Sequence, residues 1–401
     1  MNNRLNEKNV LLGVTGSIAA YKACLVLRLL QSAGAKVRVM MTETAQKFIG
    51  KWTFEALTQQ EVMTDLFPDN RIMSTEHVHI AEWADALLIC PATANCIGKV
   101  ASGIADDFLT TTIMASRAPV IFAPAMDLQM FENPIFKSNC DRLRSLNYHI
   151  LQTDSGVLAS GLHGYGRLAE PGCIVDSVRK VLSESTKIQG KKILISAGPT
   201  REYIDAVRYI SNPSSGKMGI ALAEEAYLRG ADVTIVCGPI QEPVMNGISV
   251  HHVESAQEMA DAITKYWSDH DLLIMAAAVA DYSPKEVHSG KMKKGDQHLS
   301  IELKRTQDIL ENAAKTKGKR LVIGFALESD SAMHHAIQKL HDKNLDLICL
   351  NIIDLKHNAF GSDTNIITLI DKNETAQELP EMPKHEASKH IWDKIESIME
   401  S

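Results

Sequence analysis

The stretch KNVLLGVTGSIAAYK (8–22) decides the fold. It reads as a basic flank, an apolar run of strand length, a turn carrying Gly13, Gly16 and Ser17, and a helix that opens at Ile18. The stretch KKILISAGPT (191–200) has the same grammar. Further out, LRLLQSAGAKVRVMM (27–41) and AEEAYLRGADVTIVCGP (223–239) each close a helix on a glycine, Gly34 and Gly230, and run on into a strand. Glycine just past a helix end supplies the left-handed conformation that stops the helix. A third echo pairs ADALLICPATANC (84–96) with HDLLIMAAAVADY (270–282): an Asp, a strand of buried type, then an Ala-rich turn. Apolar strands alternating with amphipathic helices imply parallel βαβ units, which right-handed crossovers wind into a sheet covered on both faces.

The expectation is an α/β chain of two doubly wound, mostly parallel, Rossmann-like domains. They span 1–188 and 189–401 and join within the polar run SESTKIQGKK (183–192). The length of 401 residues is too great for one ordinary core and suits two. With 45% hydrophobic and 23% charged residues, the mix is that of a soluble globular protein. The 42 basic residues against 49 acidic ones give −7, and no basic tract offers a nucleic-acid grip. Seven cysteines include no C-x-x-C pair, which argues against a disulfide framework or zinc knuckle. Cys90, Cys237 and Cys349 end apolar runs and read as small buried hydrophobes. The polar start at 1–9 lacks a signal-peptide core, and no apolar run reaches the ~20 residues of a membrane span. A cytoplasmic protein with no membrane partner is expected.

Doubly wound sheets bind ligands at the carboxyl ends of their strands. In the first half those ends carry Gly16, Ser17 and Ile18, then Thr42, then Pro91, Thr93, Asn95 and Asp106, then Met126 and Asp127. The turn at Gly16–Ser17 suits a phosphate, because free N–H groups and the helix dipole favour an anion. For the Thr, Asn and Asp positions, ligand contact and plain turn capping both stand. Of His77 and His79, at most one faces a given pocket from a helix.

In the second half, AGPTREYIDAVRYISNPSSGKMG (197–219) joins a Gly-Pro turn, Arg208, Asn212 and a Ser-Ser-Gly-Lys turn at a helix start. AAAVADYSP (276–284) brings Ala276, Ala277 and Asp281 to another strand end, where Asp281 meets a base, a ribose or a metal. The charged stretch 283–300 reads as a long surface loop or β-flap, with KMKK at 291–294. Loop lysines are usually solvated; above a triphosphate they would instead neutralise developing charge.

These runs carry a resemblance. GVTGSIAAYK, His-x-x-x-Ala-x-Trp-Ala-Asp, PATAN and PAM resemble the flavin-containing cysteine decarboxylases. That resemblance implies FMN on the first strand–helix turn, a site completed between subunits of a trimer, and His77 as base or electrostatic partner. It implies thiol oxidation to a thioaldehyde, loss of CO₂, and reduction of the resulting enethiol. Two positions depart from the family pattern. Asp127 stands where Asn is usual, and a carboxylate there repels the substrate carboxylate unless protonated or paired. Ser160 stands in the flap DSGVLASGLHGYGRLAEP (154–171) where a proton-donating Cys is expected. His163 or Cys173 then offers a replacement donor, His163 the better because it titrates near neutrality.

The second half resembles the phosphopantothenate–cysteine ligases, and the whole chain resembles the bacterial bifunctional fusion. This implies activation of 4'-phosphopantothenate by CTP to an acyl-cytidylate, attack by L-cysteine, and Mg²⁺ at the triphosphate. The resemblance puts the acyl contact on Asn212 and the transfer function on Lys291. Substrate and nucleotide contacts fall on Arg208, Ala276, Ala277, Asp281, Asp308, Ile309, Phe325, Lys339 and Lys343. It also implies dimers through this half, which with the trimers close as a dodecamer. Three other readings stand beside it. One is an active ligase with an impaired or altered decarboxylase. Another is a non-catalytic flavin-binding regulator, which has no need of the 197–219 and 276–294 runs. The last is a dinucleotide dehydrogenase, for which the G-x-G-x-x-G turn is missing.

Overall fold

The structure, a computed structural model, describes residues 5–67, 75–183, 187–292, 300–328, 331–352 and 362–400. It divides into two compact units, Met1–Ser183 and Glu184–Ser401. In the first, the described residues form a five-stranded, wholly parallel sheet. Its order is Lys36–Met41, Asn9–Val14, Ala86–Ala92, Val120–Pro124, His149–Ile150. Alternate side chains of a strand feed opposite faces. Val10, Leu12 and Val14 accordingly enter one core while Leu11 enters the other, with Ile89 and Phe122.

Helices cover both faces. Lys22–Ser32 buries Ala23, Val26, Leu27 and Leu30, the apolar stripe of a 3.6-residue period. It stops where the sequence places its glycine. Gly34 takes φ +93°, its N–H bonds to Gln31 O, and the Ala35 N–H returns to Leu30 O. The second half repeats this at Gly230, again at φ +93°, with Ala231 N–H bonded to Ala226 O.

The second unit holds an eight-stranded sheet among the described residues. Across it run Ser249–His252, Asp232–Cys237, Lys192–Ala197, Leu272–Met275, Leu321–Glu328, Leu347–Ile352, Ile367–Asp371 and Ala376–Glu378. The first six are parallel, Ile367–Asp371 pairs antiparallel with Leu347–Ile352, and Ala376–Glu378 pairs antiparallel with Ile367–Asp371. Numbered within each unit, the orders are 2-1-3-4-5 and 3-2-1-4-5-6-7-8. The sheets therefore differ at their edges but share a centre. In each, the opening strand lies between the next strand on one side and the strand of the third echo on the other. That is where the winding reverses and a crevice opens.

The last helix, Lys384–Met399, packs Trp392 fully into the second core, and its indole N–H donates to Leu222 O at 2.9 Å. We expect Trp392→Ala to destabilise this unit by about 3–5 kcal/mol, read as a lower urea midpoint for its unfolding transition. Cys90, Cys237 and Cys349 are buried as expected, and burial pushes the Cys90 thiol up to about 12. None of the seven cysteines forms a disulfide. No helix among the described residues is long and apolar enough to cross a membrane.

Candidate active sites

In both units, buried hydroxyls beside the opening strand hold the crevice. Thr15 Oγ1 donates to Pro91 O at 2.6 Å and accepts the Thr93 N–H at 3.1 Å. In the second unit Ser196 Oγ accepts the Ala277 N–H at 3.1 Å, and Thr200 Oγ1 accepts the Ala280 N–H at 3.0 Å. Each bond ties the opening strand or its turn to the end of the neighbouring strand or the turn after it. The sequence reading passed over all three. The signal was there, a Thr or Ser in or just after the opening strand in each half, but it reads as ordinary turn polarity.

The first crevice is a cavity of about 630 Å³. Gly16, Ser17, Ile18 and Thr93 line it, as do Met126 and Asp127. Gly16 is required for close approach: a Cβ there would lie 2.4 Å from Thr44 Cγ2. Ser17 caps the short helix Ile18–Tyr21 by accepting the Ala19 N–H, and Thr93 caps Ala94–Ala101 by accepting the Cys96 N–H. Thr42, Pro91, Asn95 and Asp106 are not on the wall. Thr42 accepts the Ala45 N–H, and Pro91 O serves Thr15. Asn95 is exposed. Asp106 pairs with Lys99 at 2.7 Å, which holds its carboxyl below the usual range. Tyr21, Lys22 and Met130, which stand within the family motifs, also line it, as do Phe48 and Arg167. Lys22 and Arg167 both reach Glu170 Oε1, at 3.5 and 3.0 Å.

The flap forms a hairpin, Asp154–Val157 against His163–Arg167. Its base is pinned by Met126 N–H to Gly166 O at 2.9 Å. At its tip the Ser160 hydroxyl hydrogen-bonds to Asp127 Oδ2. Asp127 Oδ1 meanwhile caps Leu128–Glu132 by accepting the Gln129 N–H. The two positions that depart from the family pattern are therefore bonded to each other. His163 is exposed and lies off the cavity wall, and Cys173 sits off it too, on Pro171–Ser183. His77, half-buried on Glu76–Trp83, is likewise outside the cavity of its own chain.

The second unit's crevice has a volume of about 420 Å³. It is lined by Asn212, the Ser214–Gly219 turn, Ala276, Ala277, Asp281 and Phe325. Asn212 Nδ2 donates to Ala278 O and Val279 O at 3.3 and 3.1 Å, clipping the segment after the strand Tyr209–Ser211 to the strand-end turn. Lys217 is paired with Asp363 at 2.6 Å and Glu242 at 3.5 Å. Lys384, absent from the sequence reading, lines the crevice while buried. Burial and the nearby Lys217 hold its ammonium below the ordinary lysine range. Lys339 and Lys343 lie off this wall, paired with Glu328 at 3.0 Å and Asp308 at 2.6 Å. Asp308 also caps Ile309–Lys315, whose Ile309 is buried. Arg208 and Lys291 are exposed and lie off the wall, while Lys293 and Lys294 fall outside the described residues. The loop around them starts and ends as a ribbon, Tyr282–Pro284 against Leu303–Arg305. Among the described residues no group of three or more His, Cys, Asp or Glu is placed to hold a metal ion.

Two family models match end to end: Flavoprotein over residues 1–183, and the DNA/pantothenate metabolism flavoprotein C-terminal domain over 188–399. The coenzyme A biosynthesis bifunctional protein CoaBC of Bacillus subtilis (strain 168) is 44% identical over 397 residues, covering 98% of each chain. The same protein of Borreliella burgdorferi is 41% identical over 388 residues, covering 96% of this chain and 98% of that one. This chain belongs to the bifunctional coenzyme A biosynthesis flavoproteins. It is an enzyme, a decarboxylase and a ligase on one polypeptide. Among solved structures, the C-terminal domain of a CoaBC protein matches with 42% identity and TM-score 0.47, over 54% of this chain and 99% of that one. An FMN-dependent cysteine decarboxylase, SpaF, matches with 34% identity and TM-score 0.38, over 43% and 99%.

The first unit is a flavoprotein domain, and its cavity suits a flavin. The Gly16–Ser17 turn offers a cradle that any larger residue at Gly16 would fill. Ile18, Met126 and Met130 provide apolar wall for a ring.

Proposed function

We propose that the chain makes 4'-phosphopantetheine in two steps. The unit spanning 189–401 joins L-cysteine to 4'-phosphopantothenate at the expense of CTP, and the unit spanning 1–188 decarboxylates the product. The observation that carries this is a formed crevice at the winding reversal of each sheet, in a chain whose family is bifunctional.

In the decarboxylase, Gly16, Ser17, Ile18 and Thr93 hold the flavin, with Thr42, Pro91, Asn95 and Asp106 around it. When bound, FMN supplies the acceptor for thiol oxidation and the electrons for the final reduction. His77 takes the thiol proton, reaching the neighbouring cavity of a trimer from outside its own. Met126 packs on the substrate. The carbon chain must then regain one proton after CO₂ has left. We assign delivery of that proton to Asp127, held in place by Ser160. Asp127 lines the cavity, whereas His163 and Cys173 do not, and that favours the carboxyl over them as donor.

In the ligase, the Ser-Ser-Gly turn and helix Lys217–Leu228 receive the triphosphate, and Ala276, Ala277, Phe325, Asp308, Ile309, Lys339 and Lys343 complete the nucleotide contacts. Asn212 and Arg208 bind the acyl group, and Lys291 steadies charge at the transferring phosphorus. Among the described residues, Asp281 is the one carboxylate on the crevice wall. A nucleotide-borne Mg²⁺ suits a single carboxylate, since this ion keeps its waters and leans on phosphate oxygens. The enzyme works in the cytoplasm, as trimers through the first unit and dimers through the second, closing as a dodecamer.

The test is a visible spectrum of the purified protein, with product masses after incubation with CTP, phosphopantothenate and cysteine. A yellow protein that yields phosphopantetheine supports the reading. Colour without pyrophosphate release would indicate a regulator. Phosphopantothenoylcysteine accumulating without CO₂ would indicate an inactive first unit. ATP in place of CTP decides the nucleotide.

A further inference from the structure

Asp205 belongs to neither crevice wall, yet it is fully buried, at 0% exposure. Its two carboxylate oxygens do different work. Oδ1 accepts the Val207 N–H at 2.8 Å and the Arg208 N–H at 2.7 Å, a local turn of the kind Asp commonly makes. Oδ2 serves no local N–H. It accepts the Met292 N–H at 3.1 Å, from a residue 87 positions away and next to Lys291. The Arg208 guanidinium closes the arrangement, lying 3.5 Å from Oδ2 and donating to Met292 O at 3.4 Å. His288 N–H adds a bond to Ile204 O at 3.0 Å, so the chain leading to Lys291 is docked on this turn at two points. Backbone N–H donors, Val207 first, hold the Asp205 carboxyl below its usual range against the opposing effect of burial.

We propose that Asp205 is a positioning residue of the ligase, fixing Lys291 and Arg208 relative to each other. This rests on the roles proposed above for those two residues. A buried carboxylate whose only duty was the turn would need one oxygen. The second oxygen couples the turn that presents Arg208 to the segment that presents Lys291. Transfer from a triphosphate depends on placing cationic groups where charge develops, and a small misplacement is costly.

Asp205→Asn separates the two duties in the full-length protein. Its remaining oxygen keeps the Val207 and Arg208 N–H groups, while its amide NH₂ faces the Met292 N–H, donor against donor. Hydrogen exchange without substrates should quicken at Met292 by about tenfold or more, with Val207 and Arg208 still protected. Ligase kcat should fall by about ten- to a hundredfold while KM for CTP stays within about twofold. Unchanged exchange at Met292 overturns the latch. Faster exchange with unchanged kcat, or a raised KM with kcat intact, overturns the positioning role. If the asparagine variant does not fold, Asp205→Glu keeps the charge, displaces both oxygens, and is read by the same two measurements. A wild-type chain that forms no amide product would overturn the ligase reading itself, a result distinct from any change in exchange.

Discussion

Asp127→Asn should uncouple decarboxylation from reduction. The variant is expected to release CO₂ at a rate within about threefold of the parent, while thiol product falls by about a hundredfold or more, the usual worth of a placed general acid. The amide keeps the shape of the side chain and can still bond to Ser160. It has no proton to give, so the enethiol should accumulate and be visible by mass. His163→Ala, by contrast, should leave both rates near the parent, because His163 is exposed and off the cavity wall. Thiol product formed at the parent rate by Asp127→Asn, or lost in His163→Ala, would remove Asp127 from the role.

The same cavity permits a sharper check. Asp127 and Ser160 touch, so their substitutions should not add. Ser160→Cys places at the hairpin tip a thiol of ordinary pKa about 8.5, a far better acid than a hydroxyl. In the Asp127→Asn background it should restore most of the lost reduction. A double variant no better than Asp127→Asn alone would mean that the hairpin tip does not reach the reacting carbon. The two departures from the family pattern, read one at a time, suggest a damaged enzyme. Their hydrogen bond suggests instead that one acid has replaced another.

Much of the architecture was legible because local rules and tertiary packing agree. The runs at 8–16 and 191–197 are strands because both faces of a parallel sheet are covered. Gly34 and Gly230 end their helices with the same left-handed residue and the same pair of bonds. The echo of 84–96 in 270–282 marks the strand beside each opening strand. What stayed hidden depends on contacts between distant residues. The strand Ile367–Asp371 carries the same apolar signal as the parallel ones, so only its pairing gives direction, while the short exposed Ala376–Glu378 carries no strand signal at all. In sequence Asp106 reads equally as ligand contact or cap, and only the structure brings Lys99 beside it. Nothing in the sequence singles out Asp205, whose second oxygen meets Met292, 87 positions away. Lys384 opens a helix near the end of the chain, and nothing nearby in sequence announces that it faces a crevice.

The separateness of the two units leads to the other large effect, from Gly16→Val. The new Cβ would lie 2.4 Å from Thr44 Cγ2 and 3.1 Å from the Thr44 backbone, and the branch adds two methyl groups to a turn with no space for one. Overpacking of this kind costs about 1–3 kcal/mol. The strain is relieved by moving either the Gly16–Ser17 turn or the loop after Lys36–Met41, and both movements spoil the cradle where the strand ends converge. The visible absorbance of the purified variant should fall to about a tenth of the parent's or less, with decarboxylation lost in proportion. Ligation should continue, because every wall residue of the second crevice belongs to the second unit. Supplied with CTP, phosphopantothenate and cysteine, the variant should therefore accumulate phosphopantothenoylcysteine. Retained colour would show that the flavin does not rest on this turn. Loss of ligation along with colour would show that the second unit needs an intact first one, and the two activities would then have to be treated as one cooperative assembly.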